Sequence, residues 1–225
     1  MIERPTALVT GASRGVGAAV ARAFAPTHHV ILGGRDEQAL AALAAELPDA
    51  RPWQVELTEA DVAGIERLDV LVHNAGMTTL GKIGDLPASV WRDTMALNLF
   101  AVAELTRLVL PALRRAGGHV ICVNSGAGLR ANPGWGAYAA SKFALRAFAD
   151  ALRQEEPDLR VTSVHPGRVD TDMQRSVRAQ EGAAYEPDRY LQADSVARAV
   201  LAAVNAGPDA HLTDLTLRPS AGPVG

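Results

Sequence analysis

The stretch Ala7-Leu8-Val9-Thr10-Gly11-Ala12-Ser13-Arg14-Gly15-Val16-Gly17 decides the fold. Its first four residues predict a short apolar strand, its glycines predict a turn, and residues 18–25 predict a helix that Pro26 closes. This order is typical of a dinucleotide site, where glycine lets a pyrophosphate approach the backbone at the helix N-terminus. A glycine-rich turn without a ligand is the alternative. A Walker loop is excluded, because Ala18 stands where its lysine would follow the last glycine.

The rest of the chain alternates predicted strands with predicted helices. Strands are expected at residues 29–33, 52–56, 69–72, 120–123, 160–164 and 211–217. Helices are expected at residues 36–47, 93–115, 138–155 and 192–206, with two or three further turns within 57–67. This alternation predicts an α/β fold of the Rossmann type, a doubly wound parallel sheet inside three α/β/α layers. The length fits one dinucleotide-binding catalytic domain, residues 1–225.

Composition narrows the classes of function. The net charge is −3, so no basic field favours nucleic acid or an anionic membrane. No stretch reaches ~18 uninterrupted apolar residues, and histidine and cysteine lack the spacing of a metal site. The single cysteine, Cys122, lies in an apolar run and is expected in the core. We therefore expect a soluble, cytoplasmic protein with no metal, no nucleic-acid partner and no membrane partner.

Ser125, Tyr138 and Lys142 form the group that indicates chemistry. A helix beginning near Tyr138 places Tyr138 and Lys142 on one face, and Ser125 follows a predicted strand. Lowering the pKa of tyrosine from ~10 to about 7 takes roughly 4 kcal/mol. One ammonium at about 4 Å supplies roughly that much, so Lys142 alone could prepare Tyr138 to exchange a proton with an alcohol or carbonyl oxygen. The alternative is an ordinary helix with a surface lysine and an interfacial tyrosine.

The turn after the second predicted strand bears on cofactor choice. An acid there would bind the ribose 2′-hydroxyl of NAD, whereas an arginine accommodates the 2′-phosphate of NADP. Gly34 and Arg35 occupy this turn, and Arg14 lies in the glycine loop. These two cations favour NADP(H), with NAD(H) as the other possibility. Asp36 is expected to cap the next helix, although it could instead swing toward the ribose and pair with Arg35.

With these residues placed, the sequence resembles the short-chain dehydrogenase/reductase (SDR) family over nearly its whole length. The residues that carry the resemblance are Thr10-Gly11-x-x-x-Gly15-x-Gly17, Asn74-Ala75-Gly76, the tetrad Asn98, Ser125, Tyr138 and Lys142, and Pro166-Gly167-x-Val169-x-Thr171-x-Met173. Each motif is modest alone, but their order and spacing together are specific. Two departures are Glu56, where the family usually has Asp beside the adenine, and His73, where Asn is commoner.

The resemblance implies catalytic roles for the tetrad. Tyr138 would be the general acid in reduction and the base in oxidation. Lys142 would hydrogen-bond the nicotinamide ribose and lower the Tyr138 pKa, and Ser125 would position the substrate oxygen. Asn98 would hold a water that links Lys142 to solvent, or could simply bridge within its helix.

The resemblance also implies a cofactor site, in which Thr171 would bind the carboxamide or cap a helix, or do both. The implied cofactor-binding residues are Gly11, Ser13, Arg14, Gly15, Val16, Gly17, Arg35, Glu56, Leu57, Asn74, Ala75, Gly76, Tyr138, Lys142, Pro166, Gly167, Val169 and Thr171.

The leading hypothesis is an NADP(H)-preferring oxidoreductase that interconverts a small-molecule ketone or aldehyde and an alcohol. A second hypothesis is a cofactor-binding relative without turnover, used as a redox sensor or scaffold; an intact Ser125–Tyr138–Lys142 set argues against it. A third keeps the fold but changes the reaction to epimerisation or dehydration. Relatives of that kind tend to have a larger C-terminal substrate domain, for which this chain has no room.

Two further expectations concern the substrate and the assembly. Residues 168–192 are expected to form a loop and helix segment that covers the substrate. The expected pocket walls also include Met77, Leu129 and Trp135, with Arg130 and Arg168 near enough to meet a polar or anionic group. A homo-oligomer, dimer or tetramer, is expected from the resemblance and from helices that carry apolar residues on more than one face.

Overall fold

The computed structural model describes residues 4–220, so the ends of the predicted domain, residues 1–3 and 221–225, lie outside the described residues. The strands β1–β7 are Thr6–Thr10, His29–Gly34, Ala50–Gln54, Val70–His73, His119–Val123, Arg160–Pro166 and Asp214–Leu217. The α-helices α1–α7 are Gly15–Phe24, Glu37–Glu46, Ala88–Met95, Ala101–Ala116, Gly136–Glu155, Asp172–Gln180 and Ala193–Val204.

All seven strands pair in one parallel sheet of order β3-β2-β1-β4-β5-β6-β7. One core cluster joins α1, α2 and α7 to one face of the sheet, and a second joins α4 and α5 to the other. The Rossmann-type α/β/α architecture expected from the sequence is therefore confirmed. The strand order reverses between β1 and β4, and in such sheets ligands bind in the crevice outside the carboxyl ends of the strands at that point.

Several predicted boundaries differ from the structure. The helix expected within 57–67 is wrong: only Leu57–Glu59 forms one 3₁₀ turn. Turn chemistry overrides helix formation there, because the Asp61 carboxylate accepts the Ala63 N–H at 3.0 Å and Gly64 takes a φ of +82°. The strand expected at 52–56 is Ala50–Gln54, which leaves Glu56 in the loop, and the last strand begins at residue 214 instead of 211.

The helix expected at 93–115 is longer than predicted. It begins at Ala88, just after Pro87, and Ala96–Phe100 forms a π-helical turn between α3 and α4. By length and composition alone, the run Ala88–Ala116 could cross a membrane, with a mean hydropathy of 1.5 in its most apolar window. Core helices of soluble proteins satisfy the same criterion, and here α4 packs against the sheet.

Two buried titratable groups in β4 and β5, His73 and Cys122, have structural surroundings. His73 donates to Thr106 Oγ1 at 2.8 Å, because the Thr106 hydroxyl itself donates to the Val102 carbonyl. Burial lowers the pKa of His73 to about 3, so the ring is neutral. Cys122 lies fully buried, as expected, and burial raises the pKa of its thiol to about 12. Neither group is poised to react at neutral pH.

Residues 168–192 form a folded segment around α6. Glu181 pairs with Arg168 at 2.8 Å and with Arg178 at 2.8 Å. Val169 and Leu191 form an isolated β-bridge that closes the segment at its base. The segment is therefore held by ion pairs and backbone contacts next to the ends of the strands.

Candidate active site

The glycine turn between β1 and α1 lets other groups approach its backbone closely. A Cβ placed on Gly17 would lie 2.2 Å from the Gly11 carbonyl oxygen and 2.6 Å from Asn74 Nδ2, which no side chain can occupy. Gly11 and Gly15 have φ values of +64° and +56°, a region that favours glycine. All three glycines therefore meet a backbone requirement, and the turn stays open at its outer side.

Asn74 joins this turn to the end of β4. Its Nδ2 donates to the carbonyls of Thr10 at 2.9 Å and Gly11 at 3.2 Å. The Thr10 hydroxyl accepts the N–H groups of Asn74 at 3.0 Å and Ala75 at 3.1 Å. The reversal point of the sheet is thus held by side-chain bonds as well as by the strand ladder.

Two adjoining cavities, of about 840 and 250 Å³, open at this edge of the sheet. The larger is lined by the predicted site residues Gly11, Arg14, Gly15, Val16, Asn74, Gly76, Ser125, Tyr138, Lys142, Pro166, Gly167, Val169 and Thr171. The smaller is lined by Gly11, Ser13, Arg14, Arg35, Glu56, Leu57 and Ala75. Two predicted residues line neither: Gly17 lies beneath the turn, and Asn98 lies behind Gly76.

Tyr138 and Lys142 lie on the first turns of α5, and both side chains are buried. Burial raises the pKa of Tyr138, and a hydrogen bond with the Ser125 side chain opposes that shift. Lys142 Nζ donates to the Val123 carbonyl at 3.1 Å and lies 5.8 Å from the centre of the Tyr138 ring. In this structure burial therefore raises the pKa of Tyr138, against the direction expected from Lys142, and the role of Lys142 in lowering that pKa stays a prediction.

Lys142 itself is strongly perturbed. Burial lowers the pKa of its ammonium from 10.5 to about 8, although Cys122 acts slightly in the opposite direction. An amine of this kind gains and loses its proton much closer to neutrality than an exposed lysine does. It is therefore suited to sensing charge placed in the cleft above it.

Ser125 is fixed by residues that the sequence analysis did not single out as functional. Its backbone N–H donates to Asn124 Oδ1 at 2.9 Å, and Asn124 Nδ2 donates to the Lys142 carbonyl at 3.1 Å. His165 Nδ1 lies 3.2 Å from the Ser125 carbonyl, and its Nε2 lies 3.2 Å from Asp214 Oδ1. The available signal for Asn124 and His165 was that each is a polar residue buried at a strand end, beside a candidate nucleophile or anchor.

Ser125 Oγ accepts the Ala127 N–H at 3.1 Å. Because the hydroxyl accepts there, its own proton is left to donate, in this structure to the phenol oxygen of Tyr138, which lines the same cavity.

Asn98 lies in the π-helical turn and is 1% exposed. Its Oδ1 accepts the Met77 N–H at 2.9 Å, and its Nδ2 donates to the Met77 carbonyl at 2.9 Å and to Ser141 Oγ at 3.0 Å. The amide therefore bridges from its helix to the loop after β4 and to α5, whereas the alternative role expected from the sequence was a bridge within its own helix. The water relay stays a prediction.

Thr171 caps α6, as one of its two predicted roles requires: its Oγ1 accepts the Gln174 N–H at 3.3 Å. A Cβ on Gly15 would lie 3.2 Å from Thr171 Cγ2, so the helix start closes against the glycine turn. Gln174 lies in the segment 168–192 that the sequence analysis expected to cover the substrate, although it assigned this residue no role of its own. Its Nε2 is buried without a partner among the described residues, and Gln174 lines the larger cavity.

The charged residues expected to choose the cofactor lie at the smaller cavity. Asp36 caps α2 by accepting the Ala39 N–H at 3.0 Å, which confirms its predicted N-cap role. Arg35 is 79% exposed and lies 3.8 Å from Glu56, while Arg14 is 78% exposed and lies 3.7 Å from Asp172. Exposed pairs of this kind contribute only about 0–1 kcal/mol, so both guanidinium groups stay available to a ligand.

These residues fit a nicotinamide dinucleotide. Such a ligand needs a side-chain-free turn at a helix N-terminus, a cleft that extends to both sides of it, and polar groups at each end. The close approach of Gly11 and Gly17 supplies the side-chain-free turn, and the two adjoining cavities supply the cleft. The polar groups are Arg35, which lines the smaller cavity, and Thr171, which lines the larger one.

Comparison with known proteins gives the family. A model of the short chain dehydrogenase family matches residues 5–182. An uncharacterized oxidoreductase of Schizosaccharomyces pombe is 36% identical over 181 residues, which are 76% of this chain and 73% of that protein. An uncharacterized short-chain type dehydrogenase/reductase of Sinorhizobium fredii is 34% identical over 97% of this chain and 93% of its own. The dehydrogenase/reductase SDR family member 7B of Xenopus laevis is 33% identical, and the chain spans 64% of its length.

Solved structures agree. The alcohol dehydrogenase of the archaeon Thermococcus sibiricus, complexed with 5-hydroxy-NADP, superposes with a TM-score of 0.88 at 27% identity, over 99% of this chain and 100% of its own. A short-chain dehydrogenase of Sphingobium yanoikuyae in complex with NADPH superposes with a TM-score of 0.80 at 28% identity, over 94% and 87%. The fold and the site thus define a dinucleotide-binding oxidoreductase, and this chain belongs to the short-chain dehydrogenase/reductase family.

The buried ammonium of Lys142 is expected to make the unfolding free energy depend on pH. Its native pKa lies below its unfolded value, so between about pH 8 and 10.5 the unfolded state holds a proton that the native state has lost, and the unfolding free energy rises with pH. We expect Lys142→Met to raise the unfolding free energy at pH 7 by about 1–3 kcal/mol and to flatten this rise, while turnover is lost.

Urea unfolding at pH 7 and pH 10 measures both effects. Lys82→Met is the matched control, since Lys82 is exposed and should change neither value. A less stable Lys142→Met protein with an unchanged pH profile would contradict the assignment of a desolvated ammonium.

Proposed function

We propose that this protein is an NADP(H)-preferring reductase that interconverts a small-molecule ketone or aldehyde and the corresponding alcohol. The observation that carries the proposal is that Ser125, Tyr138 and Lys142 line the same cavity as the glycine turn. A hydroxyl, a phenol and an amine therefore face the space next to the dinucleotide cradle. The solved relatives that contain 5-hydroxy-NADP and NADPH support a nicotinamide cofactor.

The side chains divide the chemistry among them. The bound cofactor would supply the hydride in reduction. Ser125 Oγ would donate its proton as a hydrogen bond to the carbonyl oxygen, in place of its hydrogen bond with Tyr138, and so hold that oxygen. Tyr138 Oη would transfer its proton to the same oxygen as the alcohol forms, since a phenol whose pKa burial raises carries its proton at neutral pH. Lys142, close beneath, would stabilise the phenolate that is left.

The two other hypotheses are less well supported. A redox sensor or scaffold without turnover has no need for a buried amine that costs stability beside a buried phenol. No observation among the described residues favours epimerisation or dehydration over simple hydride transfer. Residues 168–192 form one short segment around α6, which we propose covers the substrate.

The cofactor preference rests on the smaller cavity. Gly34 supplies no carboxylate there, and Arg35 and Arg14 both line it. Asp36 also lines this cavity, and its capping bond to the Ala39 N–H supports its role as the N-cap of α2 over a pairing with Arg35. Glu56, which the resemblance places beside the adenine, lies 3.8 Å from Arg35 and reduces the positive charge, so NAD(H) stays the second cofactor.

The first test of the proposal is Tyr138→Phe. We expect the variant to lose about 10²–10⁴-fold in kcat, because only the exchangeable proton is removed, while its dissociation constant for NADP⁺ is unchanged. Oxidation of NADPH with a panel of ketones and aldehydes, and a fluorescence titration with NADP⁺, measure the two values. Tyr190→Phe is the control, since Tyr190 contacts the Glu186 N–H away from the tetrad. A Tyr138→Phe protein that keeps most of the wild-type rate would refute acid–base catalysis by this phenol.

The second test concerns Arg35. A hydrogen bond to a charged group contributes roughly 1.5–3 kcal/mol, so Arg35→Ala should weaken NADPH binding by about tenfold to a hundredfold and leave NADH unchanged. The double variant Gly34→Asp, Arg35→Ala should prefer NADH; an added Cβ at Gly34 would meet Leu40 at 3.5 Å, an ordinary contact.

The measurement is kcat/KM for both cofactors, with Arg51→Ala as control because Arg51 is exposed on β3 outside both cavities. A wild-type preference for NADH, or an Arg35→Ala variant that treats NADPH as the wild type does, would show that another group selects the cofactor.

We also propose a homo-oligomer, dimer or tetramer, that covers an apolar surface on α4 and α5. Phe100 precedes α4 and is 60% exposed, and Phe143 on α5 is 43% exposed. We expect the wild type to be oligomeric by light scattering at micromolar concentration and Phe100→Glu to shift it toward the monomer, because a carboxylate cannot be buried there without a partner. A monomeric wild type would reject this assembly.

A cytoplasmic location is proposed on the packing of α4 against the sheet, which treats it as a core helix. The substrate is proposed to be a small molecule, and neither nucleic acid nor a membrane is proposed as a partner.

A further inference from the structure

The larger cavity has a charge imbalance on the side of Ser125. Among the residues that line it, the charged ones are Arg14, Arg130, Lys142, Arg168, Arg218 and Asp172, of which only the last is acidic. The whole chain carries a net charge of −3, so the positive charge here is local. A cleft of this kind concentrates anions.

Three of these five cations already have a partner or an assigned role. Arg14 lies in the glycine turn and pairs with Asp172, and Lys142 lies beneath the proposed cofactor. Arg168, which the sequence analysis offered as a ligand for an anionic group, is bound to Glu181 through two hydrogen bonds of 2.8 and 3.0 Å. That leaves two guanidinium groups in the cavity, those of Arg130 and Arg218. In residues 4–220 neither has an acidic partner.

Arg218 is held in place by backbone. It follows β7, and its Nη1 donates to the carbonyls of His165 and Leu217, each at 3.1 Å. A Cβ placed on Gly126 would lie 3.4 Å from Nη1 and 3.5 Å from Nη2, so the guanidinium faces the residue directly after Ser125. With Nη1 occupied, the Nε and Nη2 edge keeps N–H donors for a ligand.

Arg130 approaches the same place from another loop. Its backbone N–H donates to the Gly126 carbonyl at 3.2 Å, so Arg130 and Arg218 both lie around Gly126. Its side chain is exposed and lines the cavity. A side-chain-free residue between Ser125 and Arg218 leaves space for a ligand group to reach both.

We propose that the substrate carries a carboxylate close to its reacting carbonyl, bound edge-on by Arg218 and supported by Arg130. This inference rests on the proposed function, in which Ser125 holds the carbonyl oxygen. The planar fork of a guanidinium matches the two oxygens of a carboxylate in a bidentate contact. The substrate class is therefore an oxo acid or the corresponding hydroxy acid.

The test compares acids with their methyl esters. Oxo acids of four to eight carbons with the carbonyl at carbon 2, 3 or 4, and the methyl ester of each, are reduced with NADPH at constant ionic strength. We expect wild-type kcat/KM to be at least about tenfold higher for the best acid than for its ester. Arg218→Gln should lose this preference, mainly through KM, with the rate on the ester unchanged. Arg218→Lys should restore part of it, since the charge returns without the fork.

A binding measurement separates failure of the inference from failure of the proposed function. Calorimetric titration of the NADP⁺-loaded protein with the oxo acids and their methyl esters needs no turnover, because NADP⁺ has no hydride to give to a carbonyl. We expect the acid to bind at least about tenfold more tightly than its ester in the wild type and equally in Arg218→Gln. The matched control is Arg198→Gln, an exposed arginine of α7 outside the cavity, which should behave as the wild type.

Each outcome decides one question. If no compound of the broader ketone and aldehyde panel is reduced, the proposed function fails, and the titration alone decides the carboxylate site. If esters are used as well as acids, or if Arg218→Gln keeps the acid preference, the carboxylate site is wrong while the reductase stands. If Arg218→Gln instead weakens NADP⁺ itself, Arg218 serves the cofactor and the inference is overturned.

Discussion

The architecture depends on the junction between the ends of β1 and β4. Thr10 and Asn74 exchange backbone and side-chain hydrogen bonds there, and Gly17 packs against the same backbone at a distance that excludes any side chain. Parallel strands at a reversal point diverge into a crevice, and these bonds fix its width. This junction sets the positions of the cavities on both sides of it. The dinucleotide cradle and the tetrad therefore share one rigid edge of the sheet.

Desolvation governs the electrostatics of the tetrad. Placing Tyr138 and Lys142 in the interior raises the pKa of one and lowers that of the other, which brings a protonated phenol and an easily deprotonated amine close together. Two buried amides beside the tetrad are hydrogen-bonded: Asn124 links Ser125 to the Lys142 carbonyl, and Asn98 links two backbone groups of Met77 to Ser141. These bonds keep Ser125 and the start of α5 in place, because each buried partner would be costly to leave unpaired.

The far end of the chain completes the cleft. β7 joins the sheet beside β6, so Asp214 meets His165 behind Ser125, and Arg218 meets Gly126 in front of it. The edge strand therefore supports the serine that we propose holds the substrate oxygen, and it also supplies the cation that we propose selects the substrate. The backbone carbonyl of His165 accepts a hydrogen bond from Arg218, and the ring of the same residue lies next to the Ser125 carbonyl. Stability and specificity are therefore coupled at this edge of the sheet.

The sequence by itself determined the order of most elements and the glycine turn, and it singled out Ser125, Tyr138 and Lys142 as candidates, because apolar runs, glycine spacing and the four-residue spacing of Tyr138 and Lys142 are local patterns. One expectation, the helix within 57–67, was wrong because local turn chemistry competes with helix formation there. Only the tertiary structure decided that burial raises the pKa of Tyr138, that Glu181 pairs with Arg168, and that the Arg218 guanidinium lies next to Gly126. Burial and contacts between distant residues depend on how the layers pack, and no spacing along the chain encodes them.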